Sequence, residues 1–537
     1  MAIITQTDKR TGITYAYETT YYWDKEKKQS RKKSTIIGKV DPETGKIIPT
    51  RGRAKKKTED VPEAVKPGPV PFSETRHLFY GATYLLEQFS EQLGLTADLR
   101  VCFPDHYKQL LSIAFYLILE DNNPLYRFEK WNHTHKHPFG RDIASPRSSE
   151  LFAGIRDDQV QKFFRLQAKR RVEEEYWAYD STSISSYSET LNQIQYGKNK
   201  EDDKLPQLNL LLVFGEKSGL PFYYRKLAGN IPDSKTVKHL LKELDILGFG
   251  MAKFVMDRGF YSEANINGLY REHVKFLVGV KLSLAFIRKH LDSVYDDVRM
   301  AMNFDEGTNT YGYTVPAEWD YTQERPYKGD TIREKRRIYI HYYYSIEKGA
   351  EDESAFDKRI ACLYRELVKD QREEAHQKAY TEFFEVKKTP KRGITVTYKE
   401  KAIREARKYL GYFALITNEK MDAFTALHLY RMKDVVEKAF GNIKERLNMR
   451  RLLVSSERGL DGKIFTEFVA LILISHLDHW MREANLYKQY TLHQLLDKLD
   501  VIECFEDPGY ALRVGEILNK QKEIYEALNV PIPTSSC

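Results

Sequence analysis

Long hydrophobic runs are missing from this chain. The best candidate, Ile464 to Leu477, is broken by Glu467, so it reads as a buried helix and excludes a membrane span there. The first residues, MAIITQTDKR, lack the apolar centre of a secretory signal, and the expected location is the cytoplasm. Cysteine is scarce. Cys102, Cys362, Cys504 and Cys537 lie far apart, which argues against a zinc ribbon or a disulfide framework and fits a reducing compartment. No G-x-x-x-x-G-K-[ST] loop occurs, so no nucleotide cofactor is expected. Ser181, Thr182 and Ser183 have no histidine placed by sequence to activate them, which argues against a serine nucleophile. The HTHKH run at 133–137 lacks partner cysteines or an acid at ligand spacing and reads as an exposed loop.

What is present is a core-forming chain of 537 residues, 42% hydrophobic and 30% charged, long enough for several domains. Its charge is unevenly placed. Residues 1–60 hold 15 Lys+Arg against 8 Asp+Glu, nearly the whole formal excess of +8. A basic end on a near-neutral body fits a polyanion partner, most simply nucleic acid, and equally a solvated arm that aids solubility.

Pattern changes divide the chain. Residues 1–50 alternate apolar and polar around turn signals and predict a basic β-meander. A basic, then Pro-rich stretch at 51–70 reads as a linker. Three- and four-residue apolar spacing over 71–173 predicts a helical region that ends in a basic cluster, a candidate DNA-binding domain or a packing domain with exposed charge. From 174 to 281 strands and helices alternate: EEYWAYDSTSIS, a hairpin around Glu216–Gly219, the helix DSKTVKHLLKELDILG with Asp or Ser at its N-cap, the buried strand AKFVMDRGFYS, the helix SEANINGLYREH and the strand VKFLVGVK. Three antiparallel strands, a helix, a fourth strand and a helix match the opening order of a ribonuclease H-like core. Residues 282–408 interrupt the rhythm and read as a β-rich insertion. GYFALITN and the long helix after it resume the core over 409–480, and 481–537 reads as a helical C-terminal region. The predicted class is therefore multidomain, α+β and α/β.

Three carboxylates stand at informative places. Asp180 ends the apolar part of the first strand, Asp257 follows KFVM, and Glu437 lies on the helix after GYFALITN. Singly, such residues are turn formers, caps or solvated charges. Together at one sheet edge they would repel unless cations sat among them. Two Mg²⁺, or Mn²⁺, bridging them would activate a water or a 3′-hydroxyl against a phosphodiester. On a continuous helix Tyr430, Lys433, Glu437 and Lys444 would fall within an arc of about 60°. The adjacent sector is apolar, from Leu429 to Leu447, so the same stretch also reads as an amphipathic helix with ordinary i,i+4 charge support.

This constellation resembles the DDE transposases of bacterial insertion sequences. It is closest to the cut-and-paste group whose third acid lies in a Tyr-x2-Arg-x3-Glu-x6-Lys signature. Here Tyr430, Glu437 and Lys444 match, and Lys433 stands at the Arg position. YDSTSIS around Asp180 and MDRGFYSEANI around Asp257 resemble the first and second acid motifs, and the likeness runs from about 175 to 480. The resemblance implies end binding, cleavage through a hairpin or directly, and joining of 3′ ends to target DNA by a homodimer acting on double-stranded DNA. It implies metal binding by Asp180, Asp257 and Glu437, and phosphate contacts by Tyr430, Lys433 and Lys444. It also implies an aromatic stacked on a flipped base, for which Phe413 or Tyr412 is the candidate. Lys in place of Arg removes a planar bidentate clamp, which bears on the hairpin step more than on the metal chemistry. Arg258 is a further phosphate candidate, and Arg450 and Arg451 extend a basic track over 431–458. Two other readings remain: a nuclease of the same fold without strand transfer, and a repurposed DNA-binding protein.

Overall fold

The structure is a computed structural model that describes residues 2–24, 29–42, 44–49, 75–120, 123–170, 175–188, 191–197, 205–241, 253–324, 330–389, 393–441, 447 and 456–535. The 51–70 linker, Lys444, Arg450 and Arg451 lie outside the described residues. The chain forms two compact units, Met1–Phe72 with Pro508–Tyr510, and Ser73–Asp507 with Ala511–Cys537.

The first unit contains an antiparallel sheet of β1 (Ala2–Thr7), β2 (Thr14–Asp24), β3 (Gln29–Val40) and β4 (Ile47–Ile48), in that order. Opposite Ala16/Tyr17 of β2 an extra residue, Ile37, makes a bulge that breaks the alternation of β3. Gly38 is dictated by close approach: a Cβ there would lie 2.5 Å from the Ile48 carbonyl oxygen.

The second unit is mixed α/β and is built on a nine-stranded mixed sheet. Before it comes β5 (Arg76–Phe79). The sheet strands are β6 (Tyr176–Ser185), β7 (Gln207–Gly215), β8 (Pro221–Ala228), β9 (Lys253–Met256), β10 (Lys275–Val280), β11 (Phe304–Asp305), β12 (Thr310–Glu324) and β13 (Thr331–Ser345). After the small hairpin β14 (Phe384–Thr389) and β15 (Gly393–Tyr398), β16 (Tyr412–Thr417) completes the sheet. The order is β11-β12-β13-β16-β10-β9-β6-β7-β8. β6, β9 and β10 run parallel, and β7, β8, β16 and the β12–β13 hairpin are antiparallel to their neighbours. Strands buried on both faces explain the near-continuous apolar runs of β6, β7 and β9, where alternation is lost.

The segment expected as an insertion divides. Its first part, β11 to β13, extends the central sheet, because β13 pairs with β16 from Tyr339↔Thr417 to Tyr344↔Tyr412. Its second part has a core of its own, in which Leu363, Leu367, Tyr380, Phe383, Phe384 and Ile403 pack together.

The helix Glu457–Glu483 is buried along its middle, from Ile464 to Ser475, which is why it carries an apolar run in a chain where no helix among the described residues is long and apolar enough to cross a membrane. Phe465 meets Phe103 and Phe163 of the N-terminal helical region, and Phe468 meets Tyr224 of β8. Helix Ser145–Gly154 lies so close that a Cβ on Gly462 would come within 2.2 Å of the Phe152 carbonyl oxygen. The N-terminal helices thus spend their apolar faces on the core they share with this helix and the sheet.

Two expectations of local structure are corrected. The helical stretches at either end of this unit also contain strands: β5 pairs with β17 (Glu503–Glu506), which pairs with β18 (Arg513–Val514). Such pairing across the chain has no local signal. The HTHKH run is no exposed loop either. His135 stacks on Trp131 and bonds Asp500 at 3.0 Å, and His137 bonds Ser112 and Asn132 in the core. Burial lowers the His137 pKa to about 4, so its ring is neutral near pH 7.

Glu467, inside the buried helix, has neither carboxylate oxygen hydrogen-bonded, and the Lys463 ammonium at 3.8 Å is too far to donate. Burial pushes its pKa up to about 8. As pH rises above the unfolded carboxyl value, the unfolded chain releases this proton while the folded chain keeps it. Stability therefore falls until pH passes the folded value near 8. Glu467→Met is expected to raise the thermal midpoint by about 2–5 °C at pH 8, and by much less at pH 5, in paired melting curves.

Candidate active site

β6 and β9 run side by side and parallel, with Tyr179 opposite Met256. The next residue on each is an aspartate, so Asp180 and Asp257 stand at neighbouring positions, midway along β6 and just past the C-terminal end of β9. Asp180 is half-buried and its Oδ1 accepts the Ser181 backbone N–H at 2.7 Å. Asp257 leaves its strand as the N-terminal flank of a short 3₁₀ turn, Arg258–Phe260.

The expected continuous helix carrying the third acid is broken. Helix Ala423–Arg431 ends, Met432 and Lys433 form a tight turn, and a second helix runs Asp434–Gly441. The amides of Met432 and Lys433 bond three residues back, to Leu429 and Tyr430, which tightens the last turn in 3₁₀ fashion. The second helix packs on β6 and β7. The break shifts the wheel but keeps its consequence. Tyr430 Oη donates to Asp257 Oδ1 at 2.7 Å, and Lys433 Nζ lies 3.4 Å from the same oxygen and 3.3 Å from Glu437 Oε1. The ammonium also sits 5.1 Å over the Tyr430 ring.

The electrostatics follow from this geometry. Burial alone would raise the Asp257 carboxyl, but the Tyr430 hydroxyl and Lys433 outweigh it and hold Asp257 below the ordinary value. Burial alone would lower Lys433, but Asp257, Glu437 and Asp180 outweigh it and keep the ammonium charged. For Tyr430, burial and then Asp257 raise the phenol well above its usual range, so it acts as a donor. Glu437 is more than half exposed, at 57%. One cation thus faces three carboxylates drawn from two strands and a helix.

Beside Asp257 lies an open cavity of about 900 Å³, lined among others by Asp233, Asp257, Arg258, Lys281, Lys348 and Phe413. Arg258 and Phe413 thereby share a cavity wall with Asp257. Phe413 is half-buried and stacks on Tyr343 at 4.8 Å. Tyr412, the other aromatic candidate, is buried at 4% and stacks on Tyr295, so it serves the core.

Asp233 escaped the sequence reading, which took it as a helix cap. Its Oδ1 accepts the Ser181 hydroxyl at 2.5 Å, and its Oδ2 faces Gly259, where a Cβ would come within 3.3 Å. A fourth carboxylate therefore lies between the residues that follow Asp180 and Asp257. The only local signal was an aspartate just after the third strand of the core.

A separate group, Glu366, Glu373 and His376, has potential ligand atoms close together among the described residues. His376 Nδ1 lies 2.9 Å from Glu366 and 3.7 Å from Glu373, and Tyr380 donates to Glu366. His376 and Tyr380 hydrogen-bond Glu366, and the Glu373 backbone N–H donates to Tyr380 Oη, within the second part of the 282–408 segment.

Residues 173–473 match the family model described as Transposase DDE domain. No curated protein matches the chain. Among solved structures, a piggyBac transposase synaptic complex with hairpin DNA is similar at a TM-score of 0.36 and 9% sequence identity, covering 78% of this chain and 76% of that one.

Proposed function

The chain belongs to the transposase DDE domain family, and on that premise we propose that it is the transposase of an insertion sequence. In this reading it binds the ends of the element, cleaves them by metal-dependent phosphodiester hydrolysis and transesterification, and joins the 3′ ends to target DNA. Two ends handled in one assembly call for a homodimer, acting in the cytoplasm on the chromosome. A ribonuclease H-like core is supported by the strand order β8-β7-β6-β9-β10 with its two parallel pairings.

The observation that carries the proposal is the grouping of Asp257 and Glu437 around Lys433, with Asp180 on the adjoining strand. Carboxylate oxygens fit hard divalent cations, and the need for a lysine among these acids supports the view that the site requires positive charge. Two Mg²⁺ held by Asp180, Asp257 and Glu437 would supply activation of water or a 3′-hydroxyl and charge stabilisation on the leaving oxygen.

The chain's own groups have distinct tasks in this scheme. Tyr430 orients the Asp257 carboxylate through its 2.7 Å bond. Lys433 and Arg258 take phosphate oxygens, Lys433 as a point charge and not as a planar clamp. That difference bears on the hairpin route, which demands a firm hold on the terminal phosphate. Phe413 offers a stacking surface for an extruded base at the cavity wall. Lys444, Arg450 and Arg451 are proposed to continue the DNA contact.

A strand-transfer assay tests the scheme. Pre-cut duplex ends taken from the DNA flanking the gene, a supercoiled target plasmid and Mg²⁺ are expected to yield joined products. Cleavage without joining would favour a nuclease, and end-specific binding without cleavage would favour a repurposed DNA-binding protein.

A further inference from the structure

The β2–β3 hairpin outruns its own sheet. β1 pairs with β2 only from Thr14 to Thr19, and β4 pairs with β3 only at Lys39 and Val40. Beyond Thr19 and Ser34, no strand among the described residues flanks the hairpin. Five residue pairs, from Thr20↔Lys33 to Asp24↔Gln29, continue as a two-stranded ribbon. At about 3.4 Å per residue it projects roughly 17 Å.

The composition of this ribbon is unusual for a projecting element. Tyr21, Tyr22 and Trp23 are 63%, 51% and 63% exposed. Three consecutive aromatics left in water are the kind of apolar surface that marks a contact site. Directly across from two of them stand cations, with Tyr21 opposite Lys32 and Tyr22 opposite Arg31; Trp23 stands opposite Ser30, and Lys33 pairs with Thr20. Asp24 is the single acid of the ten residues. Alternation places Thr20, Tyr22, Gln29, Arg31 and Lys33 on one face, with Asp24 paired to Gln29 in the register, and Tyr21, Trp23, Ser30 and Lys32 on the other.

We propose that the ribbon Thr20–Asp24 with Gln29–Lys33 is a DNA-reading element that enters the major groove of double-stranded DNA. The groove, about 12 Å wide, admits a two-stranded β-ribbon. Arg31 and Gln29 share the face that meets the base edges, where Arg suits guanine and Gln suits adenine. Lys33 reaches phosphate from that face, and Lys32, Tyr21 and Trp23 meet the sugar-phosphate rims from the other. Charge selects the partner: a net positive ribbon fits a polyanion and not a basic protein surface. This inference rests on the DNA-acting reading above and assigns end recognition to a part of the chain remote in sequence from the acids.

The test uses the full chain in EDTA, so that no cleavage occurs, with fluorescein-labelled 30-bp duplexes from the DNA flanking the gene and of random sequence. Fluorescence anisotropy is expected to show that Arg31→Ala/Lys33→Ala weakens binding by about 10–100-fold and flattens the log–log salt slope by about 0.9, the share of the phosphate contact made by Lys33. Trp23 emission should change on DNA addition in the parent, and that part of the signal should vanish in Trp23→Phe. A parent that binds duplex while the double variant binds with the same affinity and slope overturns the ribbon assignment alone. A parent that binds neither duplex overturns the DNA-acting reading with it. Because all the substituted side chains are exposed, unchanged circular dichroism is expected to separate lost contact from lost folding.

Discussion

Asp257→Asn is expected to reduce Mg²⁺-dependent strand cleavage by about 10³-fold or more, the scale of losing a group that stabilises developing charge at the reacting centre. The substitution keeps the side-chain shape and removes the charge on which two neighbours converge. Tyr430 then loses its charged acceptor, and Lys433 loses one of the two acids it lies between. Asp180→Asn and Glu437→Gln are expected to fall in the same range, because three carboxylates that share cations act as a unit and their effects do not add. Single-turnover cleavage of a labelled duplex end, with duplex binding measured in EDTA, separates chemistry from recognition. Binding should be retained while cleavage is lost. Three variants that cleave like the parent would remove the enzyme reading altogether.

Lys433→Met is the second large effect, and it has two parts. Without divalent metal the ammonium is the cation facing Asp257 and Glu437, with Asp180 adding to the field that keeps it charged. Taking it away leaves like charges facing one another at a partly buried edge. The metal-free variant is therefore expected to melt several degrees lower than the parent. Mg²⁺ or Mn²⁺ should restore more stability to the variant than it adds to the parent, since the ion no longer competes with an ammonium. Cleavage is expected to fall by about 10²–10³-fold, as for removal of one charge-stabilising donor. Lys433→Arg should keep the metal-free stability and retain most of the cleavage. Melting curves across a metal titration read the first part without reference to catalysis. A Lys433→Met protein as stable as the parent in EDTA would show that the lysine is not the resident counter-ion of this site.

Much of this arrangement was visible in short windows of sequence. An apolar run closed by an aspartate is a local pattern, and YWAYD and KFVMD both have it; KFVMD has it because β9 ends there, whereas β6 continues past Asp180 through the buried residues Ser181–Ser185. Lys433 and Glu437 stand four residues apart, and helix geometry brings that spacing together within one turn even where the helix has just restarted. Other features had no local trace. The turn at Met432–Lys433 has no proline or glycine to announce it. Asp233 looked like any capping residue, since what distinguishes it is the Ser181 hydroxyl 52 positions away. His135 and His137 looked like loop residues because their burial depends on Trp131, Ser112 and Asp500.

By itself the sequence determined the strands around Asp180 and Asp257, where the charge lies, and which residue types are available for phosphodiester chemistry. These properties depend on periodicity and on neighbours a few residues away. Only the tertiary structure decided that the hairpin of Thr310–Ser345 extends the central sheet, and that the residues after Tyr179 and Met256 become lateral neighbours. It also decided that Tyr430 and Lys433 close over Asp257. The physical reason is that strand order and register are fixed by burial of both sheet faces. That free energy is summed over residues hundreds of positions apart, and no short window contains it.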